Sequence, residues 1–255
     1  MKLSEMKDSF KDFWNEFRKE KTGVLGLFLF AIFISIIIFE PFLLPNADAN
    51  TRWRDITYWE DHPKSAPPVW TDWFSSNKEF RTEEFSEYTM IEKDLGAMKM
   101  VDYSFHYEMV YDSGPNDIII HALSTGNPII VVKVLRPDGE EIELYQNQYN
   151  MGVSGKKIRI SIDNNSREKL FNFASKIETS ENLEAIKASM TKTTDVIFSK
   201  AQNGILRYPE VLKGKYNIQI TAIFQNENDT FRNPYIVLPG KVSGVLGTDS
   251  QKRDI

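Results

Sequence analysis

The chain has 255 residues, enough for one sizeable domain or two small ones, and its hydrophobic fraction of 41% with a mean hydropathy of −0.38 is too polar for a protein made mainly of membrane spans. A formal net charge of −5 offers no basic surface for nucleic acid. The absence of cysteine excludes disulfides, thiolate zinc sites and cysteine nucleophiles.

Residues 1–21 predict an amphipathic helix. Phe10, Phe13, Trp14 and Phe17 fall at i, i+3, i+4 and i+7, with Lys and Glu on the other faces. Such a helix lies in the cytoplasmic interface as an elbow into a span, or packs on a partner subunit, and the two are compatible. Residues 22–45 carry the span itself. Gly23 to Leu44 is almost wholly apolar, uncharged as far as Phe39 and then broken by Glu40 and Pro41. A membrane helix needs about 20 such residues. A signal peptide would have a shorter apolar core of about 7–15 residues. Its cleavage site would have to be Asn46-Ala47-Asp48-Ala49, so an uncleaved span is the better reading. Arg18, Lys19 and Lys21 precede the span, whereas Glu40 and Asp48 follow it, which puts the N-terminus in the cytoplasm and the remainder outside.

Residues 46–99 form an aromatic and proline-rich juxtamembrane segment, with Trp53, Tyr58, Trp59, Trp70, Trp73 and Phe74 among Pro63, Pro67 and Pro68. Indole and phenol rings favour the headgroup region, so a membrane-interfacial role is the simplest; an aromatic carbohydrate- or peptide-binding patch is the alternative.

From residue 100 to 240 the pattern turns to period two and predicts an external β-rich domain. Tyr103, Phe105, Tyr107, Met109 and Tyr111 share one face against Asp102, Ser104, His106 and Glu108. Ile158, Ile160 and Ile162 alternate with Lys157, Arg159 and Ser161, and Tyr216, Ile218, Ile220, Ala222 and Phe224 form another buried row. Ile118 to Leu123 and Ile129 to Leu135 are more continuously apolar, as central strands are, and Arg136-Pro137-Asp138-Gly139 is a hairpin turn leading to Ile142 and Leu144. A helical insert is expected at 166–202. Its stripes are Leu170, Ala174, Ile177 and Leu183, Ile186, Met190, with Ser180 as the second helix's N-cap and Asn203-Gly204 as its stop. The sum is an antiparallel β-sandwich-like domain with a helical insert, carried behind an interfacial helix and one transmembrane helix.

No catalytic, cofactor-binding or metal residue is nominated. His62, His106 and His121 lack paired ligand spacing, and no nucleophile elbow, phosphate loop or Rossmann glycine pattern occurs. His106, Glu108 and Asp102 could be imagined as an acid–base set, but outward-facing polar residues on a strand account for them better. Asn164-Asn165-Ser166 and Asn228-Asp229-Thr230 match glycosylation acceptors, a tripeptide frequent by chance.

Three stretches resemble the C-type permease subunits of oligopeptide and dipeptide ABC importers. They are Phe10-Lys11-Asp12-Phe13-Trp14 through Arg18-Lys19-Glu20-Lys21 and Gly23-Val24-Leu25-Gly26-Leu27; Phe42-Leu43-Leu44-Pro45 with Trp53-Arg54-Asp55 and Pro63 to Pro68; and Leu246-Gly247-Thr248-Asp249 with Arg253-Asp254. Residues 241–255 are then the lead-in to a second transmembrane helix, and the resemblance implies that the chain stops where that helix begins, as a truncated reading frame, a split gene or a chosen segment. One departure is Lys252, which stands where the family usually has glycine and puts the tight turn there in question. The resemblance implies the membrane-anchoring and external portion of a transporter permease. Its partners would be membrane lipid, a partner permease subunit, ATPase subunits and a substrate-binding protein, with no nucleic acid, no cofactor and no enzymatic activity of its own. The alternative from another class is a free-standing membrane-anchored β-sandwich acting as a binding or adhesion module. A third, an anchored hydrolase, requires that the fold gather His106 or His121 with carboxylates in a cleft.

Overall fold

The computed structural model describes residues 13–43, 49–96, 98–149, 157–179, 183 and 193–255. The chain divides into two compact units, Met1–Asp55 and Ile56–Ile255.

In the first unit residues 13–17 are helical, and Phe10 with the rest of 1–12 lies outside the described residues. Phe13 and Trp14 stack on Phe17 with ring centroids 5.8 and 6.0 Å away. The Phe17 ring lies against Gly23, where a Cβ would sit 3.1 Å from it, so the missing side chain is what lets the ring fold back across the bend at 18–20. Helix α1, Lys21–Leu43, follows with 23 residues. At 1.5 Å per residue it is about 35 Å long, against a hydrocarbon core of about 30 Å. From Val24 to Phe39 its Leu, Ile and Phe side chains are exposed around the whole circumference rather than along one stripe, and residues Lys21–Glu40 are long and apolar enough to cross a membrane. A short helix α2, Ala49–Arg54, ends this unit.

The second unit starts with α3, Ile56–Trp59, and a 3-10 turn, Val69–Phe74, before its strands. These are β1 Glu83–Phe85, β2 Thr89–Asp94, β3 Lys99–Met109, β4 Ile119–Thr125, β5 Ile129–Leu135, β6 Glu141–Gln148, β7 Ile158–Arg159, β8 Gly214–Phe224 and β9 Thr230–Leu238. Two sheets result, ordered β1-β9-β4-β7 and β2-β3-β8-β5-β6, and the pairings of these strands are all antiparallel. The longest ladder joins β3 to β8 over eleven residues, Lys99 opposite Phe224 through Met109 opposite Gly214. One apolar core joins the sheets. Val101, Tyr103, Phe105, Tyr107, Val132, Val134, Ile218 and Ile220 meet Ile120, Phe231, Ile236 and Leu238. Tyr103 also donates its hydroxyl proton to the Phe231 carbonyl across the gap, at 2.7 Å.

Two of the connections that carry the chain from one sheet to the other, 126–128 and 225–229, are tied together by Asp229. Its Oδ1 accepts from the Asn127 amide and its Oδ2 from those of Gln225 and Asn226. Gly126, at φ +71°, leaves the space for that carboxylate; a Cβ there would stand 2.1 Å from Asp229 Oδ1. The Arg136–Gly139 turn closes β5 onto β6 as expected, with the Gly139 amide donating to the Arg136 carbonyl. Arg136 itself is fully buried, a role its place in the turn does not advertise. Its guanidinium donates to the Val196, Ile197 and Ser199 carbonyls and pairs with Asp138, fixing the 3-10 segment Thr193–Phe198 to the hairpin.

Several expectations need correction. Strands begin before residue 100: β1 and β2 lie inside the 46–99 segment, which is therefore not merely juxtamembrane. They escape a periodicity search because β1 has three residues and β2 is exposed at every position. The first helix of the insert starts at Asn164, not 166, because Asp163 caps it by accepting the Ser166 amide. This helix, α4 (Asn164–Ser175), buries Leu170 and Ala174 as its stripe requires. Of the second expected helix, Ser180, Ile186 and Met190 lie outside the described residues, and its described end is not α-helical: Thr193–Phe198 is a 3-10 segment and Ser199 bridges to Val211, short of the stop expected at Asn203-Gly204. Asp102 is buried rather than solvated, because side chains from the two strands beside β3 close around it: it accepts from the Lys93 ammonium of β2 and the Thr221 hydroxyl of β8. Tyr111 falls beyond the end of β3. Ile162 is exposed, because Asp117 takes hydrogen bonds from the Ser161 amide and hydroxyl and turns the chain after β7. Leu123 is exposed too, past an irregularity in the β4–β9 register.

Ile220 is fully buried on β8. Ile220→Asp should unfold the domain by placing an unpaired charge in the core, at a cost of about 4 kcal/mol or more. Glu108→Ala, on the exposed face of β3, should change stability by less than about 0.5 kcal/mol. Denaturant melts of both variants check this, and equal damage from the two would mean that the core face is misassigned.

Candidate functional site

The fold gathers its chemistry where no single stretch of sequence shows it. Residues 60–68, just after α3, meet β4, β7 and the last ten residues of the chain. The strip 63–68 is rich in proline and so short of amide donors. The terminal stretch answers it group for group. The Thr248 hydroxyl accepts from the Ala66 amide at 2.9 Å and donates to the Pro63 carbonyl at 2.7 Å. The Thr248 amide donates to the Ala66 carbonyl, and the Ser65 amide to the Asp249 carbonyl. Gly247, at φ +86°, brings its backbone so close that a Cβ would lie 2.4 Å from the Ala66 oxygen.

Beyond Thr248 the chain folds on itself. Asp249 accepts from the Gln251 and Arg253 amides and pairs with the Arg253 guanidinium. Lys252 adopts φ +67°, so the tight turn is made with a side chain in place of glycine. Its ammonium is held by the Glu60 carbonyl at 2.6 Å, and burial, together with the charge of Arg159, lowers its pKa.

Beside this clasp lies a cluster of charges. Asp61 pairs with Lys157 and lies 2.8 Å from His121 Nε2, while the His121 ring stacks on Tyr235 at 4.4 Å. Lys157 also reaches Glu60 at 2.9 Å, and Arg159 bridges Glu60 and Asp117. Burial raises the Asp61 carboxyl, but the hydrogen bonds and charges of His121 and Lys157 outweigh it and hold the group at about 2. His62 is lowered, chiefly by burial, against the opposing pull of Asp254 and Asp61. His62 Nδ1 and Asp254 Oδ1 are both buried without a hydrogen-bond partner.

His121 thus meets a carboxylate, as the hydrolase reading requires, but its Nε2, though 2.8 Å from Asp61, makes no well-aligned hydrogen bond, its ring is stacked on Tyr235, and no hydroxyl is hydrogen-bonded to it among the described residues. His106 stays exposed on β3 next to Glu108, while Asp102 is engaged by Thr221 and Lys93. The Asp61–His121 pair joins residues sixty positions apart and carries no local motif, which is why the sequence does not reveal it.

A groove of about 780 Å³ opens elsewhere, between β2, β3, β9 and the 225–229 loop. Met90, Glu92, Lys99 and Tyr103 line one side and Phe231 and Arg232 the other. Glu92 and Lys99 pair at 2.7 Å on that first side, and burial, with Tyr88 and Glu92 nearby, pushes the Tyr103 hydroxyl up to about 12.

Residues 9–68 match a protein-family model described as the N-terminal TM domain of oligopeptide transport permease C. No curated protein matches the chain. Among solved structures, that of TmCBM61 in complex with beta-1,4-galactotriose is similar at 10% identity over 68% of this chain and 92% of that one, with a TM-score of 0.24. The family match covers the bend, α1 and the Glu60–Pro68 strip, and it supports an N-terminal part of an oligopeptide permease C.

Because Asp61 sits at about 2 against a usual 3.8, its contribution to stability is present above its unfolded pKa and is lost as pH falls from about 4 to 2. Asp61→Asn should cost about 2 kcal/mol at neutral pH and flatten that part of the acid unfolding curve. Identical acid sensitivity in variant and wild type would contradict the assignment.

Proposed function

We propose that this chain is the membrane-anchoring and external portion of a peptide-type ABC importer permease, acting in solute transport only within a larger complex. The observation that carries this reading is the family match over residues 9–68, which ends in the strip that the terminal Leu246–Asp254 stretch grips. Residues 1–21 form the interfacial elbow and 22–45 the span, with the N-terminus cytoplasmic because Arg18, Lys19 and Lys21 crowd that flank. The unit from Ile56 onward is extracytoplasmic and either steadies the outer mouth or docks a substrate-binding protein. On this reading chemistry belongs to the partners: ATP is hydrolysed by separate subunits, and the chain, which carries no GxxxxGK[ST] loop, acts without an enzymatic activity of its own. Alternating access needs packed helices facing each side in turn, which one span does not supply. On this reading the pathway-lining helices belong to the partner permease subunits of the complex.

A second reading, an anchored sandwich acting as a free-standing binding module, is favoured by the groove between β2, β3 and β9. Affinity purification of the tagged full chain from native membranes in mild detergent separates the two. The permease reading expects ABC ATPase and permease subunits to co-purify. Recovery of the chain without any ABC subunit would reject it and favour the module.

A further inference from the structure

The 3-10 turn Val69–Phe74 has its polarity inverted. Its one charged residue, Asp72, points inward with a side chain only 7% exposed, accepting from the Glu79 amide and facing Arg81. Its large aromatics point outward: Trp73 is 80% and Phe74 83% exposed. The terminal stretch extends the same surface. Val69 donates its amide to the Gly244 carbonyl and Trp70 its indole N–H to the Val245 carbonyl at 2.8 Å, and the adjoining Val245 and Leu246 side chains are exposed. Five large apolar side chains from two distant segments thus form one patch, held by hydrogen bonds and bare of exposed charge along 69–74 and 244–247.

We infer that the Trp70–Trp73–Phe74–Val245–Leu246 patch seats the second unit in the headgroup region of a lipid bilayer. Three observations choose lipid over a protein partner. The Trp70 indole, its N–H already satisfied by the Val245 carbonyl, and the outward-facing Trp73 ring suit the boundary between water and hydrocarbon. The patch starts at Val69, directly after the residues matching a membrane-domain family. Chain length is the third: twelve residues separate Leu43, the end of α1, from Ile56, and six of them are wound in α2, so the tether reaches about 30 Å at most. This inference rests on reading α1 as a membrane span. Since the patch has no exposed charge, it takes zwitterionic and anionic lipid alike and does not depend on salt.

The chain has no cysteine, so a single introduced thiol can be labelled without background. Phe74→Cys, Leu246→Cys, Phe28→Cys and Glu108→Cys, each in the full chain, are labelled with an environment-sensitive fluorophore and reconstituted into phosphatidylcholine vesicles with or without doxyl-labelled lipid. Labels at 74 and 246 should shift to the blue and lose about half of their emission to the quencher, as expected for residues at headgroup depth. The label at 108 should be unaffected and that at 28 strongly quenched. Quenching at 28 without quenching at both 74 and 246 overturns the patch while leaving the span intact, and leaves that surface to a protein partner. No quenching at 28, 74 or 246 overturns both readings. Equal quenching at all four positions overturns the patch as a specific contact.

Discussion

One hydroxyl, that of Thr248, holds together segments 182 and 185 residues apart in the chain. The strip it grips needs such a partner: Pro63, Pro67 and Pro68 have no amide proton, and the strip's remaining polar groups cannot join a regular sheet. Ala66 lies buried at the centre of this contact, so its amide and carbonyl must both be satisfied within the protein. Thr248 supplies both, with its hydroxyl for the amide and its own amide for the carbonyl. Joining segments so distant would be costly for a flexible chain, but the sandwich has already brought them together, and the clasp closes a loop whose entropy the core has largely settled.

The clasp imposes conformations that are unfavourable in isolation. Lys252 in the left-handed region costs about 1 kcal/mol relative to glycine. That cost is offset where the Lys252 ammonium reaches the Glu60 carbonyl and its amide bonds the Asp249 carbonyl. The neighbouring pairs Asp61–Lys157, Glu60–Lys157 and Arg159–Asp117 are partly shielded from water, where attraction between charges is stronger than on an open surface. The strip after α3 is therefore fastened twice, by backbone hydrogen bonds to the terminal stretch and by ion pairs to β4 and β7. This gives the 60–68 strip a defined seat within the second unit.

What the sequence made legible follows from periodicity. Strands β3 and β8 announce themselves because each presents a long alternating row, Tyr103 to Met109 and Tyr216 to Ala222, and their eleven-residue ladder is the spine of the larger sheet. Strands β1 and β2 do not, one too short and the other exposed on both faces. Features that depend on distant partners were also hidden. Arg136 reads as a turn residue until the Val196–Ser199 carbonyls arrive around it, and Asp102 reads as solvated until Thr221 and Lys93 close over it. The terminal Leu246–Asp254 stretch stood out from its sequence as a lead-in to a further helix. Its grip on Pro63 and Ala66 is a tertiary property that no local pattern encodes.

Hydrogen exchange at the Ala66 and Thr248 amides tests the clasp most directly. Both amides are bonded only to the opposite segment, so their protection measures how often the two part. If the clasp is an integral part of the external unit, both should exchange as slowly as the Ile218 and Ile220 amides of β8 and open only with global unfolding. Exchange within seconds at Ala66 and Thr248, while β8 remains protected, would show the terminal stretch to be a loose tail and contradict the account.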